Sequence, residues 1–145
     1  MNLGNSAYRA GRMVEAEAHL GEALRLRPGL ALAHNSLATV LAVTGRFEEA
    51  IAHYQEALRL WPDYAIARIN LANTLAEQGR LAEAVDEYRA ALERNARDEY
   101  AHYGLGKALL GLGEAEQGLA EYREALRIRP GWKAAESALA AVSKP

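Results

Sequence analysis

The chain has 145 residues, half of them apolar and a quarter charged, with a formal net charge of −2 and no cysteine. Such a balance is that of an ordinary globular domain, and it excludes disulfides and thiolate metal sites. It argues against nucleic acid, whose binders carry a concentrated basic stripe. No apolar run reaches the roughly 18 residues of a membrane span, and the opening MNLGNSAYRAGRM lacks the apolar core of a signal peptide.

Taken in order, the chain repeats itself every 34 residues. Residues 1–30 carry a first unit that lacks its opening positions. Residues 31–64, 65–98 and 99–132 are three full units, and 133–145 begins another and stops. The columns are Leu3, Leu37, Leu71, Leu105 and Leu139; Gly4, Ala38, Ala72, Gly106 and Ala140; Gly11, Gly45, Gly79 and Gly113; Ala16, Ala50, Ala84 and Gly118; Leu20, Tyr54, Tyr88 and Tyr122; and Ala23, Ala57, Ala91 and Ala125. Self-similarity of this kind fixes the architecture before any local reading. The missing opening positions predict a chain that is part of a longer array.

Within each unit the apolar period is helical. Ala33, Leu37, Ala38 and Leu41 share one helix face, and Ala50, Tyr54, Ala57 and Leu58 share another. The glycine column falls between them, where a helix end favours a left-handed residue. Each unit therefore reads as helix, tight turn, helix, with the turns at Gly11, Gly45, Gly79 and Gly113. Small residues on both helices let them approach closely. A single domain over 1–145 is expected, closed by a capping helix over 133–143 in which Leu139 and Val142 are partly exposed. In the fourth unit Gly104, Gly106, Gly111, Gly113 and Gly118 crowd together; they read as tolerated drift in a region that opens easily.

These columns resemble the tetratricopeptide repeat over essentially the whole chain. The second unit offers His34, Leu37-Ala38, Leu41, Ala50, Tyr54 and Pro62 in the places of that family's motif. The opening aromatic is replaced by His34, Arg68 and His102. The phrase ARINLANTLAEQGRLAEAVDEYRAAL is most similar to the bacterial arrays related to O-linked N-acetylglucosamine transferases. The resemblance implies an all-α fold, a right-handed superhelical solenoid of antiparallel helix pairs, working as a non-catalytic protein–protein interaction scaffold; the lack of a signal peptide and of a membrane span gives the cytoplasm as the expected place. It also implies that the first helices line a concave groove for an extended peptide or a partner helix.

The residues that the core columns leave over on those first helices are the candidate site: Asn5, Leu32, Asn35, Thr39, Ile66, Ile69, Asn70, Asn73, Tyr100, Tyr103 and Lys107. Bulky apolar groups on a free face mark an interaction surface, and asparagine both donates and accepts, as a peptide backbone requires. On this reading Tyr103→Ala and Asn73→Ala weaken binding and leave stability nearly unchanged. The chaperone-tail clamp of the family is not expected, because Ser36, Ile66 and Asn70 stand where Asn, Lys and Arg are needed. Two alternatives are a substrate-docking segment of a larger enzyme, such as a glycosyltransferase, and a self-assembling array. The uncovered end of the capping helix predicts weak head-to-tail association.

No catalytic, cofactor or metal site is expected. Gly104-Leu105-Gly106-Lys107 lacks the glycine spacing, the hydroxyl and the preceding strand of a phosphate loop. His19, His34, His53 and His102 are spread through the chain, with no close pair in view to converge on an ion. Glu48, Glu49 and Glu83 open second helices, where negative charge complements the helix dipole.

Overall fold

The computed structural model describes residues 3–143, with side chains from residue 9 onward. Eight helices run through the described residues: α1 (Leu3–Leu26), α2 (Ala31–Val43), α3 (Phe47–Leu60), α4 (Ala65–Glu77), α5 (Leu81–Arg94), α6 (Glu99–Gly111), α7 (Ala115–Ile128) and α8 (Lys133–Ser143). From α2 onward every second helix starts 34 residues after the last, at Ala31, Ala65, Glu99 and Lys133. The fold is all-α, and it divides into two compact units, Met1–Ala67 and Arg68–Pro145.

Three of the four expected turns form. Gly45, Gly79 and Gly113 have φ of 83°, 74° and 84°, which only glycine adopts without strain. Around each, the next amide reaches back over the helix end: Arg46 N–H to Leu41 O at 2.8 Å, Arg80 to Leu75 at 2.9 Å, Glu114 to Leu109 at 2.9 Å. These bonds satisfy carbonyls that the helix end orphans.

Gly11 does not turn. It lies inside α1, which runs unbroken for 24 residues, so the first unit has one long helix where a pair was expected. Continuing the helix through Gly11 keeps the backbone hydrogen bonds that a turn there would break. A depression of about 730 Å³ stays open beside it, lined by Arg9, Ala10, Arg12, Met13, Ala16, Val43 and Thr44.

In the first unit the core joins Leu37, Ala38 and Leu41 of α2 to Ala50, Ile51, Tyr54 and Ala57 of α3. Tyr64 and Ala67 pack with Ala57. In the second unit the buried set is Leu71, Ala72 and Leu75 of α4; Ala84, Val85, Tyr88 and Ala91 of α5; Ala101, Leu105, Ala108 and Leu109 of α6; Tyr122 and Ala125 of α7; and Ala135 of α8.

Three of the crowded glycines, Gly104, Gly106 and Gly118, are packing requirements, not drift. A Cβ on Gly106 would stand 2.9 Å from the Gly118 carbonyl oxygen, and one on Gly118 would stand 2.8 Å from the Gly106 carbonyl oxygen. The two backbones touch, so neither has room for a methyl group. Gly104 is equally committed, since its Cβ would fall 2.4 Å from the Tyr88 ring.

Candidate functional site

The predicted site residues separate by column. Leu32, Ile66 and Tyr100 are 62%, 62% and 55% exposed, as a free face requires. The next column is not free. Asn35 and Ile69 are buried, and Tyr103 is half-buried. For Asn35 and Tyr103 the cover is the aromatic residue just before the next first helix, which lies over this position. Asn35 Nδ2 donates to the Tyr64 hydroxyl at 3.2 Å, and Tyr103 packs against Trp132 with ring centroids 4.9 Å apart. Tyr64 and Trp132 occupy one column, 29 residues beyond Asn35 and Tyr103. Asn35 and Ile69 thus belong to the packing and leave the candidate surface.

Thr39 and Asn73 share a third column, exposed but engaged. Thr39 Oγ1 donates to the Asn35 carbonyl at 2.9 Å and meets the Tyr54 hydroxyl at 3.1 Å. Asn73 accepts from the Tyr88 hydroxyl through Oδ1. That bond uses the amide oxygen and leaves the NH2 group as a donor. Asn70 is half-buried, and its carbonyl accepts from Thr74 Oγ1 at 2.9 Å. The side chain of Asn5 lies outside the described residues.

Four predicted residues of the second unit come together. Asn73, Tyr100, Tyr103 and Lys107 line a cavity of about 570 Å³, with Ala76, Glu77, Leu81, Tyr88, Gly104, Ala108, Gly111 and Trp132 completing it. Glycine and alanine leave the space; the aromatic rings wall it. Tyr100 meets Trp132 edge-on at 5.3 Å, and Tyr103 lies 5.5 Å from Tyr122. Arg129 braces this wall. Its guanidinium carbon sits 5.0 Å from the Trp132 ring centre and 5.9 Å from that of Tyr100, and Nη1 donates to the Tyr100 hydroxyl at 3.1 Å.

Burial, reinforced by the charge of Glu77, holds the Tyr88 phenol far above its ordinary ionisation range. Burial and Tyr103 push the Tyr122 phenol up as well. Both hydroxyls therefore stay neutral. Trp132 is the main lining residue that sequence columns passed over, although its column already held Tyr64.

The histidines also differ from expectation, because His34 and His53 meet. Their Nδ1 atoms are 3.0 Å apart and their rings stack at 5.2 Å. The same two positions hold Arg68 and Glu87, 2.8 Å apart, and His102 and Glu121, 2.5 Å apart. The column that lost the family's opening aromatic thus carries a polar pair between the helices of each repeat. Among the described residues, no three or more His, Asp or Glu side chains converge as a metal would need. No described helix is long and apolar enough to cross a membrane.

Tetratricopeptide-repeat family models match residues 1–63, 29–97 and 69–131. A comparison with curated proteins by sequence finds no match. Among solved structures, the chain is similar to MamA from Desulfovibrio magneticus RS-1, at 22% identity over 97% of this chain and 80% of that one, with a TM-score of 0.85. PilF from Pseudomonas aeruginosa gives 25% identity over 97% of this chain and 64% of that one, with a TM-score of 0.84. The first tetratricopeptide domain of Spaghetti (RPAP3), solved bound to the HSP90 peptide SRMEEVD, gives 22% over 78% and 90%, with a TM-score of 0.76. Helix pairs at a 34-residue spacing, positive-φ turn glycines and matched family models agree: the chain belongs to the tetratricopeptide repeat family of protein-interaction scaffolds.

Proposed function

We propose that this chain is a non-catalytic scaffold that holds an extended peptide segment in the cavity of its second unit. One observation carries the reading: Asn73, Tyr100, Tyr103 and Lys107, chosen as positions the core leaves over, line one cavity. The wall of Tyr100, Tyr103 and Trp132 takes an apolar or aromatic side chain. The NH2 of Asn73 donates to a peptide carbonyl, and Lys107, exposed on the same helix as the tyrosines, takes an acceptor beside it. The peptide bound to the Spaghetti domain supports a peptide as the class of partner.

Panning a random peptide library against the full chain tests this. Selected peptides are expected to lose about thirtyfold or more in affinity with Tyr100→Ala, since aromatic anchors dominate such sites. Leu32→Ala, in the other unit, is expected to leave that affinity alone. Equal loss with Leu32→Ala, or none with Tyr100→Ala, places the peptide elsewhere and ends the proposal.

A further inference from the structure

The polar pair between helices occurs three times, and the titrating chemistry of one differs from the rest. His34 Nε2 lies 2.9 Å from the Pro28 carbonyl oxygen, so that nitrogen carries a hydrogen and donates it. In a neutral ring Nδ1 is then an acceptor. The bond across 3.0 Å must come from His53 Nδ1–H. His53 Nε2 remains free to take one proton without disturbing either bond. A second proton has only His34 Nδ1 to go to, where it turns an acceptor into a donor facing a donor. The pair accommodates one proton and not two.

His102 and Glu121 behave in the opposite way. His102 Nε2 faces the Ala96 carbonyl oxygen at 3.0 Å, and Nδ1 faces Glu121 Oε2 at 2.5 Å. Two acceptors want two N–H groups, so the protonated ring satisfies both. The proton that divides the first pair completes this one. Arg68 and Glu87 involve no histidine.

We propose that the His34–His53 pair is a proton-operated latch that loosens α2 from α3 on mild acidification, while the pair between α6 and α7 holds. The charged groups around the latch do not remove this behaviour. Glu49 and Glu56, on the His53 face of α3, favour a proton there, but each carboxylate is already engaged, by Arg46 at 2.7 Å and by Arg59 at 2.5 Å. Glu17 of α1 is held by the same Arg46 at 2.5 Å. α2 carries no other ionisable group. Burial first, and His34 second, lower the proton affinity of His53 below its ordinary value of 6.5. The unfolded chain therefore binds more protons than the folded one below about pH 6.5. Stability of this pair is present above that range and is lost as pH falls through it.

Amide hydrogen exchange on the full chain, corrected for intrinsic rates, tests the latch. From about pH 7.5 to about pH 5.5, protection in α2 and α3 is expected to fall on the order of tenfold, with α6 and α7 unchanged. His53→Glu reproduces the chemistry of the His102–Glu121 pair and should abolish the fall. Nitrogen-15 spectra of the wild-type histidines at about pH 8 should show hydrogen on Nε2 of His34 and on Nδ1 of His53. Unchanged protection in α2 and α3, a fall that survives in His53→Glu, or the reverse tautomers would each overturn the proposal.

Discussion

The hydroxyl of buried Tyr88 donates to Oδ1 of exposed Asn73, fifteen residues earlier in the chain. Thr39 and Tyr54 make the same connection at 3.1 Å in the first unit. An exposed residue of the candidate site is thereby tied to a core residue, so a substitution there disturbs stability whatever it does to binding. Asn73→Ala is expected to destabilise the fold by about 1–3 kcal/mol, the cost of leaving a buried hydroxyl without its partner. Tyr88→Phe should cost less, because the stranded Asn73 carbonyl can bond water. Urea denaturation of both variants and their double mutant checks this; strictly additive losses would show that the bond carries no coupling.

Three glycines should respond to alanine in two ways. Gly106→Ala puts a methyl group against the Gly118 carbonyl oxygen, and Gly104→Ala puts one into the Tyr88 ring. Overpacking of this kind costs roughly 1–3 kcal/mol, which exceeds the gain of up to about 1 kcal/mol in helix propensity. Gly111→Ala meets only the Leu81 Cδ1 atom, at 2.6 Å, the tip of a side chain that can rotate. It should be neutral or slightly stabilising. Thermal midpoints that rank Gly111→Ala at or below Gly106→Ala would contradict this account.

Alkali offers a separate probe of the site. The raised Tyr88 phenol resists ionisation when folded and ionises near its ordinary value of 10 when unfolded. The folded proton affinity is the higher one, so its contribution is fully present below about pH 10 and declines as pH rises further. Ultraviolet titration should show Tyr88 ionising only together with loss of helical dichroism. A reversible Tyr88 transition in the native protein would mean that its hydroxyl reaches solvent.

Head-to-tail contact through α8 is the fourth expectation. Leu139 is half-buried and Val142 is 37% exposed on α8. A heterologous contact there need not close into a ring. Sedimentation should show average mass rising at high concentration and falling back with Val142→Lys. A strict monomer at about millimolar concentration would remove this surface from consideration.

The columns made helix positions and most turns legible because each depends on local chemistry: apolar spacing within a helix, and a glycine where φ turns positive. Gly11 misled because glycine permits a left-handed turn without requiring one. Asn35 misled because one helix's periodicity says nothing of what the next segment lays over it. The Asn35–Tyr64 bond spans 29 residues. The His34–His53 contact stayed hidden for a similar reason: each histidine belongs to its own column, and only the crossing of α2 and α3 joins the two. Gly104 and Gly106 looked like drift until the Tyr88 ring and the Gly118 backbone were seen against them.

Helices that pack together are neighbours in the chain, as α1 with α2, α2 with α3, α5 with α6, α6 with α7, and α7 with α8. Such contacts close short loops, so little chain entropy is lost before each is rewarded. A topology of this kind belongs to the fast end of the folding range, microseconds to milliseconds. During synthesis, α2 and α3 can dock as soon as both have left the ribosome, without waiting for a distant strand or helix to close the core.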